Sequence, residues 1–204
     1  MNISGYSKTA VKILEASLPL FAARGYNGVA MRDIAQTVGI TAAALYNHFS
    51  GKETLYYQAL EYAFADKVDS LSSELHASPD PDGRLRRLIS FWIEILGGDV
   101  ILRSLLQREM SDADEQRLRL LLDRIFMPVY ERCKTTMATL ARGRVDEHLL
   151  FFAILGLVLS HFQLTPIRKR LPGCHPEHED AERIAAHLAR LLLYGLNGND
   201  SGHG

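Results

Sequence analysis

The sequence predicts an all-α fold: a compact three-helix head, then a larger helical body, about nine helices in all. Three observations carry this prediction. Apolar residues recur at helical spacing through almost the whole chain; glycine, proline and hydroxyl residues fall where helices start and stop; and no strand-like alternation, internal repeat or low-complexity tract interrupts them. With 204 residues, 47% apolar and 23% charged, the chain suffices for one large domain or two small ones with a proper core.

The first element spans 7–24, where Val11, Leu14, Leu18 and Phe21 form one stripe and Gly25 follows as a stop. Pro19 lies inside it and removes a hydrogen bond to Glu15, at up to ~3 kcal/mol unless the helix kinks there. A second helix runs from about Met31 to Val38 with Ile34, Ala35 and Val38 inward, and Gly39 then permits a positive φ. Thr41 caps a third, Ala42 to Phe49. Ser50-Gly51-Lys52-Glu53 has the form of a capping box and starts a fourth toward His76. Ser78 to Gly83, with two prolines and a glycine, is the clearest break. Helices follow at Leu85–Leu96, Val100–Met110, Glu115–Leu140 with a bend at Pro128, Glu147–Leu164 and Asp180–Leu196. Gly143 ends the long one, 166–176 is a basic Pro-interrupted loop, and the tail from 198 is expected to be disordered.

Composition excludes several classes. Aromatics at 8%, with 7 prolines and 15 glycines, do not fit collagen-like or disordered chains. The longest apolar run, Leu149 to Leu159, falls short of the roughly 20 residues a bilayer requires. The N-terminus lacks a basic segment, apolar run and small-residue cleavage site, so a cytoplasmic protein without a membrane partner is expected. Cys133 and Cys174 are then two reduced thiols. The net charge of −1 divides unevenly: Lys8, Lys12, Arg24, Arg32 and Lys52 against Glu15 and Asp33 give residues 1–52 a charge of +3, leaving −4 for the rest. A polyanion would meet the head, although a merely solvated basic face has the same composition.

The second and third helices with their glycine turn form a helix-turn-helix whose last member has the size of a major-groove reader. Ala42, Ala43 and Ala44 are small enough to let its backbone approach base edges, while Tyr46, Asn47 and His48 supply a phenol, an amide and an imidazole. Leu45 and Phe49 point back into the head. Lys52 joins a cation to the free N–H groups of a helix start, which suits a phosphate. An ordinary helical hairpin with solvated polar residues is the competing reading.

At Ile34-Ala35, Val38-Gly39-Ile40-Thr41, Ala44-Leu45-Tyr46, His48-Phe49 and Lys52-Glu53-Leu55, preceded by Leu20-Phe21 and Arg24-Gly25-Tyr26, the sequence resembles the TetR family of bacterial transcriptional regulators over about residues 10–60. The resemblance implies an all-helical homodimer that reads a palindromic operator through its N-terminal domains and binds a small effector in a divergent C-terminal domain. It implies phosphate contacts from Tyr46 and Lys52, a capping and backbone contact from Thr41, and a groove-facing set of Ala42, Ala43, Ala44, Asn47 and His48. The sequence departs from the family where Val29-Ala30 replaces the frequent hydroxyl residues before the second helix. Ala42-Ala43 offers no bidentate donor for guanine, so readout leans on Asn47, thymine methyls and Arg32. The domain division expected is 1–52 for DNA binding, 53–197 for effector binding and dimerisation, and 198–204 as tail.

In the body, Phe91, Trp92, Phe126, Tyr130 and Phe152, with Arg103, Gln107 and His161 as polar handles, are the candidate effector lining; plain core is the alternative for each aromatic. The last two helices are apolar on more than one face. Phe152, Gly156 and Leu159 on one and Leu188, Leu191 and Leu192 on the other are the candidate dimer interface. Cys174-His175-x-Glu177-His178 has metal-ligand types, but Pro176 interrupts it and no second cluster accompanies it. Arg168-Lys169-Arg170 reads as a solvated loop. No nucleophile elbow, P-loop, dinucleotide glycine motif or zinc-protease pair is present, so neither enzyme nor cofactor is expected. The leading function is a repressor released from its operator by an apolar or amphipathic effector. An activator or effector-independent regulator is the alternative, with an enzyme using the C-terminal cavity third.

Overall fold

A computed structural model describes residues 5–78, 80–112, 114–141 and 145–197. All regular structure among them is helical: α1 (Lys8–Arg24), α2 (Met31–Val38), α3 (Ala42–His48), α4 (Lys52–Ala77), α5 (Pro81–Ile93), α6 (Val100–Asp112), α7 (Glu115–Leu121), α8 (Met127–Ala141), α9 (Glu147–Gln163), α10 (Thr165–Arg168) and α11 (Ala181–Asn197). The ends expected at Gly143 and in the tail from 198 lie outside the described residues.

The chain divides into two compact units, Met1–Asp69 with Asp99–Val129, and Ser70–Gly98 with Tyr130–Gly204. The first holds α1–α3, most of α4, α6, α7 and the start of α8. Its core is Ile13, Leu14 and Phe21 of α1, Ile34 of α2, Leu45 and Phe49 at α3, and Leu55, Tyr56 and Leu60 of α4, all buried. In the second, α5 packs on α9 and α11, and α9 on the turn that follows α5. Trp92, Ile95, Phe151, Ile154 and Val158 are buried there.

Four local expectations are corrected. The break near 80 is shorter than expected, because Asp80 accepts a 2.7 Å hydrogen bond from the Gly83 N–H and Pro81 occupies the first helical turn, where no N–H is needed. The helix expected over 115–140 is two helices joined by a π-helical turn, Leu122–Phe126, with the Met127 N–H bonded to the Leu122 carbonyl. The wider turn comes just before Pro128, which has no N–H to offer a regular ladder. The capping box at 50–53 does not form: the Ser50 hydroxyl pairs with that of Thr54 at 3.1 Å, and the Glu53 carboxylate accepts from Gln116 at 2.8 Å. Finally, part of the 166–176 loop is helical, as α10, and a 3₁₀ turn spans Pro176–Glu179. Around Pro19, α1 continues through Arg24 without a break.

Candidate nucleic-acid interface

Each helix of the head is fixed at its ends. Ser7 accepts from the Ala10 N–H at 3.2 Å, and Gly25, at φ 70°, ends α1 with its N–H on the Phe21 carbonyl. No side chain caps α2, as its Ala30 start foretold; instead the Asp33 carboxylate accepts from the Ala30 N–H at 3.4 Å and pairs with Arg24 at 3.5 Å. Gly39 takes the left-handed conformation at φ 77°, which a side chain would strain. The Thr41 hydroxyl then accepts from the Ala44 N–H at 3.1 Å and starts α3.

Because Leu45 and Phe49 are buried, the opposite side of α3 faces solvent. Ala42, Ala43, Tyr46, Asn47 and His48 are exposed and Ala44 is half-buried. Arg32, on α2, is exposed as well. The expected groove-facing set therefore lies on one accessible helix face. Lys52 is half-buried, its Nζ donating to the Tyr26 carbonyl at 3.0 Å and lying 4.4 Å from the centre of the Tyr26 ring. An ammonium has three N–H donors, so this bond positions the cation and leaves others for a phosphate.

A buried polar network behind the head escaped the sequence reading. Glu109 of α6 accepts from the Tyr56 hydroxyl at 2.7 Å and from Arg117 Nε at 2.9 Å, with both members of the ion pair nearly buried. Arg117 also reaches Asp112 and Asp114 at 3.2 and 3.4 Å, and its guanidinium lies 4.9 Å from the Tyr26 ring centre. Burial first, then the bond to Glu109, raises the Tyr56 phenol above its ordinary range. Arg108 donates to the Ala22 and Ala23 carbonyls at 2.7 and 2.8 Å, a cation on the C-terminal end of α1. The sequence signal was present: Glu109 continues the stripe Leu102, Leu105, Leu106, so a carboxylate stands on a core face and demands a partner.

The other expected sets divide. In the second unit, Trp92 contacts Phe91 and Phe151 edge-on at 5.3 and 6.1 Å, and Phe151 contacts Tyr130 at 5.1 Å and Phe152 at 5.5 Å. The buried Trp92 indole N–H has no hydrogen-bond partner. Phe152 is 48% exposed, and His161 lines a pocket with Arg168 that none of these rings enters. Arg103, Gln107 and Phe126 belong to the first unit. Of the interface set, Phe152, Gly156 and Leu191 are exposed, Leu159 and Leu192 half-buried, and Leu188 is turned into its own unit's core. Leu149, 67% exposed, extends that α9 face. Burial pushes the Cys133 thiol up to about 12, leaving it an inert core residue. No group of three metal-ligating side chains is close enough to hold an ion, and no helix is long and apolar enough to cross a membrane, among the described residues.

Two family models match the chain: bacterial regulatory proteins, tetR family, at residues 13–59, and the C-terminal domain of the HTH-type transcriptional dual regulator CecR at residues 81–198. The chain belongs to the TetR family. This TetR-family chain is 31% identical over 84 residues to the biofilm operon icaADBC negative transcriptional regulator IcaR of Staphylococcus epidermidis, covering 41% of the chain and 45% of that protein. It is 35% identical over 116 residues to the transcriptional repressor DhaR of Mycobacterium sp. strain GP1, covering 56% and 58%. The matched part thus spans about half the length of these curated relatives. Among solved structures, FadR from Bacillus subtilis in complex with stearoyl-CoA aligns with a TM-score of 0.73 at 17% identity, over 91% of this chain and 98% of that one. AibR in complex with isovaleryl coenzyme A and operator DNA aligns at 0.64 and 21%, over 91% and 98%. At such identities the likeness shows the fold.

Proposed function

We propose that this TetR-family protein is a homodimeric, cytoplasmic, non-enzymatic repressor that binds a palindromic operator and is released by a small apolar or amphipathic effector. The observation that carries DNA binding is the exposed face of α3, Ala42, Ala43, Tyr46, Asn47 and His48, backed by buried Leu45 and Phe49 and preceded by the left-handed Gly39 turn. Residues 1–52 read DNA, with Tyr46, Lys52 and Thr41 on the backbone and Arg32 and Asn47 toward bases. Residues 53–197 bind effector and a second copy. The unsatisfied Trp92 indole N–H among Phe91, Tyr130 and Phe151 supports a ligand with an acceptor and an apolar body. The acyl coenzyme A ligands named for FadR and AibR are of that amphipathic kind.

The matched C-terminal family is described for a dual regulator, which favours a second reading in which the protein also activates. A band shift on the DNA flanking its own gene, with and without acyl coenzyme A, tests both. A retarded band that disappears with ligand is expected. A ligand that tightens the complex selects the second reading, and no retardation at low salt overturns DNA binding here.

A further inference from the structure

A pocket of about 360 Å³ opens in the second unit between the end of α9, α10, the 3₁₀ turn and α11. Two of its nitrogens, His161 Nε2 and Arg168 Nε, are closed off from solvent without hydrogen-bond partners. An arginine Nε–H can only donate. Each terminal nitrogen of that guanidinium holds one acceptor, the His178 carbonyl at 3.4 Å and Glu179 at 2.6 Å. The pocket's one lining carboxylate, Glu177, is already held by Arg183. Arg190, on the rim, is exposed and has neither ion pair nor hydrogen bond among the described residues.

The pocket therefore holds one certain donor in want of an acceptor, the Arg168 Nε–H, beside an imidazole whose Nε2 donates to an anion once His161 is protonated, within a surplus of positive charge that Glu179 and a bond to the His178 backbone only partly offset. Burial first, then the Arg168 guanidinium, keeps His161 below its ordinary value, so an anion would relieve both groups. The space exceeds a bare inorganic ion, being the liquid volume of about a dozen waters. The buried side chains of Ile184 and Leu188 supply an apolar wall.

We propose that this pocket binds a small organic oxyanion, its carboxylate or phosphate head on Arg168, His161 and Arg190 and its short apolar body against Ile184 and Leu188. The site shares no residue with the Trp92 ring cluster. It stands independently of the repressor reading, because its test uses no DNA.

Isothermal titration of the full chain with hexanoate, hexyl phosphate, hexanamide and inorganic phosphate tests it. Hexanoate or hexyl phosphate should bind, the tighter of the two naming the head group, with neutral hexanamide at least about tenfold weaker. Arg168→Gln should weaken the anion more than about tenfold. Since Arg168 also holds Glu179, Arg190→Gln is the second variant: it breaks no ion pair or hydrogen bond, and should weaken binding severalfold with an unchanged circular dichroism spectrum. Absence of binding by both organic anions at about 10 mM, equal affinity for hexanamide, inorganic phosphate binding as tightly as hexyl phosphate, or unchanged affinity in folded Arg190→Gln would each overturn the proposal.

Discussion

Lys52 has its ammonium held at the start of α4 by the Tyr26 carbonyl and ring, the position from which the proposed function has it meet a phosphate. Lys52→Ala should weaken binding to all DNA sequences alike and reduce the log K versus log salt slope by about one for each phosphate it no longer neutralises, measured by band shifts across salt. Asn47→Ala should instead lose discrimination at particular base pairs while leaving the salt slope unchanged. Glu109 is a structural counterpart: Glu109→Ala leaves Arg117 in the interior with only its two half-exposed partners, Asp112 and Asp114. A loss of about 3 kcal/mol in urea denaturation is expected, against about 1.5 kcal/mol for Tyr56→Phe, which deletes one hydrogen bond to a charged acceptor. What the sequence made legible at this scale was local: Thr41 as cap, Leu45 and Phe49 as anchors, and Gly39 as turn each depend on neighbours within a few residues. The Tyr56 to Glu109 bond spans 53 positions, and no short-range pattern names the partner of a buried carboxylate.

Among the elements, helix existence followed from apolar spacing, and what spacing left undetermined was continuity. The stripe of Leu118, Leu121, Ile125 and Val129 continues across the π-helical turn, so periodicity alone saw one helix where the backbone forms two. The short α10 and the 3₁₀ turn were hidden because proline and charge dominate 166–179, and their order comes from Glu179 gripping Arg168 and Lys169 at 2.6 and 3.2 Å. That segment should be acid-sensitive in two steps. Burial and Arg168 hold His161 below its unfolded value of 6.5, so the unfolded state takes up protons first and stability falls as pH drops through 6.5, levelling once the folded value is passed. Burial pushes Glu179 up, but the bonds from Arg168 and Lys169 outweigh it and set its folded value below 4.5, so its contribution is present above 4.5 and lost beneath it. Hydrogen-exchange protection factors across α10 and the start of α11 should therefore fall, relative to α1, first below pH 6.5 and again below 4.5; an equal loss of protection in both units would contradict this.

For the whole molecule, the proposed regulation requires two copies and a conformation that an effector can select. The exposed Leu149, Phe152 and Leu191 are the side chains to charge, whereas Leu188, being buried in its own unit, would report folding instead. Leu191→Arg should yield monomers by solution scattering, because the dimer would have to bury an unpaired cation; wild-type scattering of a stable monomer at micromolar concentration would contradict dimerisation itself. Helix α4 starts at Lys52 in the first unit and ends in the second, so under the proposed function it is the covalent connection along which an effector's influence would have to pass to Lys52. An effector can release DNA only in proportion to its preference for the conformation that fails to span both half-sites. Linkage makes that preference mutual: if effector lowers operator affinity by some factor, saturating operator must lower effector affinity by the same factor, typically about 5–150-fold. Trp92 provides both readout and lesion. Ligand entry should change its fluorescence; Trp92→Ala would cost about 3–5 kcal/mol of core packing and confuse the two effects, but Trp92→Phe keeps an aromatic ring, removes the unpaired N–H and leaves a smaller cavity, so its stability is measured beside its response. Trp92→Phe should keep operator affinity and lose part of the response to ligand, followed by band shift. A ligand bound equally tightly with and without saturating operator cannot be the inducer, however well it fills the cluster, because a ligand indifferent to the two states shifts neither.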